Sequence, residues 1–113
     1  MIPVKVCGIT RLQDALAAKE YGASAIGFIF YKDSPRFVTA DNAKEWIPGI
    51  PKQVIKVGVF VDNDVDNINK IADILGLDMV QLHGSESPEY CKEISIPVIK
   101  VFRVGEGFNP KIL

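Results

Sequence analysis

The sequence Val-Lys-Val-Cys-Gly-Ile-Thr occupies residues 4–10 and joins a strand pattern to a helix pattern. Apolar residues alternate with Lys5 and Cys7 until Gly8 allows the chain to turn,. Cys7 is therefore predicted at the carboxyl end of a strand. In parallel α/β proteins this is the edge of the sheet at which ligands bind.

The segment after this turn is predicted to be a helix over residues 11–21. Thr10 and Gln13 have the spacing of a capping box, in which each side chain bonds a free backbone N–H,. Apolar residues with helical spacing are expected to form its buried side. These are Leu12, Ala15, Leu16 and Ala18.

Strand and helix patterns alternate along the rest of the chain. Further strands are predicted at residues 25–30, 54–61, 79–83 and 97–103,. Further helices are predicted at residues 39–47, 65–75 and 88–94, with another beginning near Asn109,. Gly22 and Gly76 each end a helix just before a strand, which is a weak internal repeat,. Such alternation indicates parallel strands joined by helical crossovers.

Either an open doubly wound sheet or part of a (β/α)8 barrel would satisfy this pattern. The period of two along a strand places Lys5 and Cys7 on one face, and likewise Gln81 and His83,. A doubly wound sheet would bury both faces under helices, which is costly for polar side chains. A barrel accepts polar residues on its inner face near the mouth, so the barrel is favoured.

Composition makes several classes of function improbable. The 113 residues are 48% hydrophobic and 24% charged, with a formal charge of −1, so nucleic acid and membrane surfaces are not expected partners,. No apolar run reaches the ~18 residues of a membrane span, and the N-terminus lacks a signal-peptide pattern, which favours the cytoplasm. Cys7 and Cys91 are expected to be free thiols, with Cys91 a small buried side chain of a helix.

Three residue types at the predicted mouth can carry chemistry. Cys7 is either a buried packing thiol or a proton-transfer group, since the nearby cation of Lys5 favours the thiolate. Arg36 is either a solvated loop residue or a fork for carboxylate or phosphate. His83 is either a packing histidine or a contact to substrate. With one histidine and no carboxylate cluster of ligand spacing, no metal site is expected,.

At this point the motifs resemble those of the phosphoribosylanthranilate isomerases of tryptophan biosynthesis. The resemblance runs through the whole chain in the family's order. The matching motifs are Lys-Val-Cys-Gly-Ile-Thr at 5–10, Gly-Phe-Ile-Phe at 27–30, Ser-Pro-Arg at 34–36, Gly-Val-Phe-Val at 58–61 and Gln-Leu-His-Gly at 81–84.

The resemblance implies a (β/α)8 barrel and a cofactor-free Amadori rearrangement of N-(5'-phosphoribosyl)anthranilate, a small sugar-phosphate substrate. It implies that Cys7 is the general base that takes the C2 proton and that Arg36 engages the anthranilate end. Gln81 and His83 match the fourth-strand motif and are assigned a supporting place near the substrate.

The resemblance also implies that residues 1–113 are the N-terminal portion of one barrel domain, with about five βα units, because a complete barrel has ~200 residues or more. The family's general acid, an aspartate after the fifth strand and helix, has no counterpart before Leu113, and the phosphate-binding loops are also missing. We therefore expect self-association or pairing with the missing C-terminal half, and weak or no activity of this portion alone.

Two further interpretations stay open. The chain can be a non-catalytic half-barrel that acts as a folding or assembly module. A metal-using sugar-phosphate epimerase on the same fold is a third reading, but it needs several His and Asp ligands at strand ends, where His83 is the available one,.

Overall fold

The computed structural model describes residues 4–83 and 87–100. In this part of the chain five strands alternate with four helices. The strands are β1 (Lys5–Cys7), β2 (Ala25–Ile29), β3 (Ile55–Phe60), β4 (Met79–Leu82) and β5 (Val98–Lys100). The helices are α1 (Leu12–Glu20), α2 (Ala40–Ala43), α3 (Val65–Leu75) and α4 (Pro88–Lys92), with a 3₁₀ turn at Ile47–Gly49.

The strands form one sheet in the order β1-β2-β3-β4-β5, and every neighbouring pair is parallel. A doubly wound sheet reverses its strand order at a switch point, whereas a barrel adds each strand beside the last. The described sheet contains no reversal. The barrel-type arrangement predicted from the sequence is therefore confirmed.

The hydrophobic core lies between the helices and one face of the sheet. Ile26, Phe28, Phe60, Val80 and Leu82 of the strands are fully buried there. They pack in one cluster with the inner sides of the helices, which contribute Ala15, Ala43, Ile68 and Ala72. Period-two alternation then directs the intervening strand residues to the opposite face.

The opposite face of the sheet is concave. Lys5 on β1 donates a hydrogen bond from Nζ to Oε1 of Gln81 on β4. In a flat sheet, strands three positions apart would be separated by ~14 Å, and side chains perpendicular to the sheet would not meet. The contact therefore requires the sheet to curve, and Lys5 and Gln81 lie on its inner face. Their predicted position on the inner side of a barrel is confirmed.

Several predicted helix ends are confirmed. The side chain of Asp64 caps α3 by accepting from the Asn67 backbone N–H at 3.2 Å. Gly76 ends α3 in the left-handed conformation at φ 66°. The side chain of Ser87 accepts from the Tyr90 N–H at 3.1 Å, with proline at the start of α4.

The predicted capping box at Thr10 is wrong. The N-cap of α1 is Arg11, which makes no side-chain capping bond. The backbone N–H groups of Gly8 and Ile9 both donate to the carbonyl of Gly27, at 3.0 and 3.1 Å. Because the turn is tied to β2 in this way, the helix begins only at Leu12.

The second helix is shorter than the predicted residues 39–47. From Asn42 onward the backbone bonds span three residues, as in Glu45 N–H to Asn42 C=O at 3.2 Å. The α-helix ends at Ala43, and Pro48 lies within the 3₁₀ turn. On α1, Leu16 is 40% exposed and does not belong to the buried side that was predicted for it.

Predictions for residues 101–103 of the fifth strand and for the helix near Asn109 lie outside the described residues. None of the described helices is long and apolar enough to cross a bilayer.

Candidate functional site

Cys7 ends β1 at the carboxyl edge of the sheet, where it is half-buried. Its register partner on β2 is Gly27, so the two residues share the concave face,. A Cβ placed on Gly27 would lie 3.0 Å from the Cys7 Sγ. The missing side chain of Gly27 therefore provides the space that the sulfur occupies.

Arg36 lies next to Gly8, the residue that follows Cys7 and the end of β1. It belongs to the loop between β2 and α2, and its backbone N–H donates to Ser34 Oγ at 3.2 Å. The Arg36 side chain lies across Gly8, since a Cβ placed on Gly8 would be 2.7 Å from Arg36 Cδ and 2.8 Å from a guanidinium nitrogen. Gly8 also has φ 84°, a backbone conformation that residues with a side chain adopt only with strain,. The guanidinium is exposed and stands beside the residue that carries the thiol.

Gln81 and His83 lie across the concave face from Cys7, on β4 and just beyond its end. Gln81 is 8% exposed and is the one buried polar residue among those described. Its Oε1 accepts from Lys5 Nζ, and its Nε2 contacts Nε2 of His83. The His83 backbone N–H donates to the Phe60 carbonyl at 3.1 Å, which holds it beside the end of β3. Polar groups therefore connect β1 to β4 inside the curve.

The structure brings all four predicted site residues to the same end of the sheet. Arg36 lies over Gly8, the residue after Cys7, and Gln81 contacts both Lys5 and His83. Chemically, this mouth offers a thiol for proton transfer, a forked cation for a carboxylate or phosphate, and an imidazole. Their roles remain predictions, since geometry alone assigns none of them.

A groove of 620 Å³ lies next to this mouth rather than in it. It runs between the loops that follow β2 and β3, and it reaches the first two turns of α3. Its lining includes Tyr31, Lys32, Phe37, Asp62 and Asn67, and none of the four site residues. Cys7 and Gln81 instead lie on the open concave face of the sheet.

Remote features of the described residues do not compete with this site. Arg11 lowers the pKa of Asp14 below its ordinary value through a side-chain hydrogen bond, but both side chains are solvent-accessible and lie at the start of α1. Among residues 4–83 and 87–100, no group of three His, Cys, Asp or Glu is placed to hold a metal. Cys7 and Cys91 are both free, as predicted. Cys91 packs against the core from α4 but is only partly buried, so the prediction of a buried side chain is wrong.

Sequence reasoning missed two features of the site. The role of Gly27 as the space for the sulfur had a signal, because an isolated glycine in a strand often marks a close approach. Lys5 was expected to act on the thiol, but its ammonium contacts Gln81. No local pattern could reveal that contact, because it joins residues 76 positions apart.

The comparisons with known proteins agree with the fold and the motifs. The profile of the family described as N-(5'-phosphoribosyl)anthranilate (PRA) isomerase matches residues 4–113. A protein named N-(5'-phosphoribosyl)anthranilate isomerase from Geobacter sp. (strain M21) is 51% identical over 104 residues, covering 92% of this chain and 51% of the relative. The protein of the same name from Syntrophus aciditrophicus (strain SB) is 50% identical, covering 88% of this chain and 43% of the relative.

Solved structures give the same result. The crystal structure of phosphoribosyl anthranilate isomerase from Thermotoga maritima has a TM-score of 0.86 and 44% identity, covering 88% of this chain and 50% of that one. The crystal structure of the protein of the same name from Thermus thermophilus has a TM-score of 0.89 and 36% identity, covering 97% of this chain and 56% of that one. The chain thus spans about half the length of the curated relatives it matches.

Proposed function

Because the chain belongs to the N-(5'-phosphoribosyl)anthranilate isomerase family, we propose that it contributes the proton-abstracting half of an isomerase barrel. The reaction is the Amadori rearrangement of N-(5'-phosphoribosyl)anthranilate in tryptophan biosynthesis. The observation that supports this most is the position of the Arg36 side chain over Gly8, the residue after Cys7, at the carboxyl end of a parallel sheet. These 113 residues are the N-terminal portion of a single barrel domain, and the cytoplasmic location expected from the sequence stays a prediction.

The chemistry needs a base and little else from this half. Opening of the ribose ring breaks the bond between C1 and the ring oxygen, which takes up a proton, and leaves a protonated imine at C1. Cys7, as its thiolate, removes the C2 proton; the electron pair of that C–H bond forms a C1–C2 double bond while the C1–N π pair moves onto nitrogen. Protonation at C1 and loss of the proton from the C2 hydroxyl then give the C2 ketone. The imine is the electron sink, so a modest base is sufficient, and no electrons are gained or lost.

Arg36 recognises the anthranilate carboxylate. One solved structure with 44% identity is described as a complex with reduced 1-(O-carboxyphenylamino)-1-deoxyribulose 5-phosphate, a compound with a carboxylate on its aromatic ring. A guanidinium binds a carboxylate through two parallel hydrogen bonds. With Arg36 over Gly8, the carboxylate-bearing ring would be held one residue from the thiol. Gln81 and His83 line the opposite side of the substrate.

The concave face is completed by a C-terminal half-barrel, which we propose as the partner of this chain. Ile55 and Ile99 on that face are 41% and 37% exposed, and Val4 beside the edge strand is 49% exposed. β1 and β5 are the edge strands of the described sheet, and exposed edges and apolar surface favour association,. Strands of the second half would cover them and would supply the general acid and the phosphate-binding loops.

The test is turnover of the chain with and without its complement. The complement is a fragment of the Geobacter relative that contains the part of its barrel beyond the matched region, and product is measured by liquid chromatography. We expect the mixture to form the ketose and to elute as a heterodimer, with little or no product from either piece. A heterodimer that makes no product would favour the non-catalytic assembly module instead, and a self-paired chain would refute the proposed partner.

The carboxylate contact is tested in the same mixture. Hydrogen bonds to a charged group contribute about 1.5–3 kcal/mol, so Arg36→Ala should raise KM by roughly 10- to 100-fold. Arg36→Lys should recover only part of this, because it loses the fork. Arg11→Ala is the matched control, since that guanidinium is held by Asp14. Equal KM values for Arg36→Ala and Arg11→Ala would exclude Arg36 from substrate binding.

A further inference from the structure

Lys5, Gln81 and His83 form a continuous chain of contacts on the concave face. We propose that Lys5, acting through Gln81, holds His83 as the neutral tautomer that carries its proton on Nδ1. Lys5 and Gln81 are then positioning residues for the imidazole. The inference about the tautomer depends on the contacts alone, and its use in the reaction rests on the proposed function.

The first step is the orientation of the Gln81 amide. A lysine ammonium has three donors and no acceptor, so the amide atom that faces it must be the carbonyl oxygen. Rotating the amide by half a turn would set its NH₂ group against the ammonium, donor against donor. Gln81 is 8% exposed, so little water is available to offset such a clash,. Lys5 therefore fixes which end of the amide faces away from it.

The second step is the protonation of the imidazole. With Oε1 held by Lys5, the Gln81 NH₂ group faces Nε2 of His83. An amide NH₂ group only donates, so the histidine nitrogen that receives it must carry a lone pair. In the neutral ring the proton then sits on Nδ1. An imidazolium would place N–H against N–H.

The tautomer limits what His83 can do in the proposed reaction. Its Nε2 lone pair is used by Gln81, so that nitrogen does not accept the substrate proton. The proton on Nδ1 makes the ring a hydrogen-bond donor. Proton abstraction is then left to Cys7 on the other side of the concave face. Cys7 is thereby the base and His83 the hydrogen-bond donor, although a thiol and an imidazole can both transfer protons.

The composition makes this inference directly measurable. His83 is the single histidine of the chain, so the long-range ¹H–¹⁵N correlations of imidazole nitrogens belong to one residue. In the intact 113-residue chain we expect a protonated Nδ1 and an unprotonated Nε2 at mildly alkaline pH. Free histidine in water favours the opposite tautomer. A spectrum with the proton on Nε2, or averaged between the two nitrogens, would overturn the proposal.

Variants separate the two steps. Gln81→Glu replaces the NH₂ donor by a carboxylate oxygen, and we expect the proton to move to Nε2. Lys5→Met releases the amide, and we expect averaged nitrogen shifts. Lys32→Met removes a lysine from the adjacent loop and should leave the spectrum unchanged. A Gln81→Glu spectrum identical to the original, in a chain with dispersed amide signals, would refute the role of Gln81. These readouts need no turnover, so they stand apart from the isomerase test.

Discussion

Replacement of Gly8 by alanine perturbs the point where the thiol-bearing strand meets Arg36. Two effects are introduced together. The backbone at Gly8 has φ 84°, which L-residues adopt only with strain,. The new Cβ would also approach Arg36 Cδ to 2.7 Å and a guanidinium nitrogen to 2.8 Å. The structure allows the size of each effect to be estimated separately.

Backbone strain should dominate the loss of stability. An L-residue in a left-handed conformation costs ~1–2 kcal/mol, while alanine gains ~0.4–1 kcal/mol by restricting the unfolded chain, which leaves a net loss of about 1 kcal/mol. The steric term should be small, because the atoms in the way are the far end of an exposed and flexible side chain. Arg36 should swing aside rather than resist. The unfolding free energy should therefore fall by about 1 kcal/mol.

Gly22→Ala is the matched control for this experiment. Gly22 has φ 97°, and nothing lies within 4 Å of a Cβ placed on it, so its substitution introduces strain without a neighbour. Equilibrium denaturation should give similar losses for the two variants. NMR should separate them, since the Nε–H signal of Arg36 should move in Gly8→Ala and stay in place in Gly22→Ala.

Two results would refute this reasoning. A loss of more than about 3 kcal/mol for Gly8→Ala alone would mean that Arg36 is held rigidly and that the steric term dominates. An unmoved Arg36 signal would mean that the guanidinium does not lie over Gly8. In that case the proposed closeness of carboxylate recognition and thiol would lose its basis.

Two further predictions use the same physical reasoning elsewhere in the chain. Gly58→Ala should destabilise the fold by about 1–3 kcal/mol, because its Cβ would lie 2.6 Å from Leu77 Cδ1 among buried side chains that cannot move aside,; a loss below about 0.5 kcal/mol in denaturation would contradict this packing. Arg11→Gln should let the pKa of Asp14 rise toward its ordinary value of 3.8, as followed by NMR titration, because the Arg11 hydrogen bond is lost. Because the pKa of Asp14 is lowered in the folded chain, the pair stabilises the fold above the ordinary pKa of 3.8, and this stabilisation is lost as the pH falls through the lowered pKa. Solvent screening at these exposed groups should keep the change in unfolding free energy too small to measure. An unchanged Asp14 titration would rule out the pair.

The order of strands and helices could be predicted because it depends on local spacing. Asp64 and Gly76 mark the two ends of α3, and each acts on backbone groups within a few residues. The start of α1 could not be predicted in this way. It depends on a carbonyl of Gly27 that accepts from the turn after β1, and the sequence contains no local sign of that bond.

The candidate site likewise has features that local spacing predicts and features that depend on distant contacts. Period-two alternation was sufficient to assign Lys5, Cys7 and Gln81 to one face. The depth of curvature was not predictable, because it results from the packing of whole strands, and this curvature lets Lys5 reach Gln81. The meeting of Arg36 with Gly8 likewise depends on how a ten-residue connection folds back over the sheet edge.

The most direct test of the central claim is the rate at which the assembled barrel removes hydrogen from C2 of the substrate. This rate can be followed in a single turnover as loss of deuterium from C2-labelled N-(5'-phosphoribosyl)anthranilate. Because a general base contributes typically 10²–10⁴-fold, Cys7→Ala should slow the loss by about that factor, whereas Cys91→Ala should change it little. Equal rates for the two cysteine variants would contradict the account.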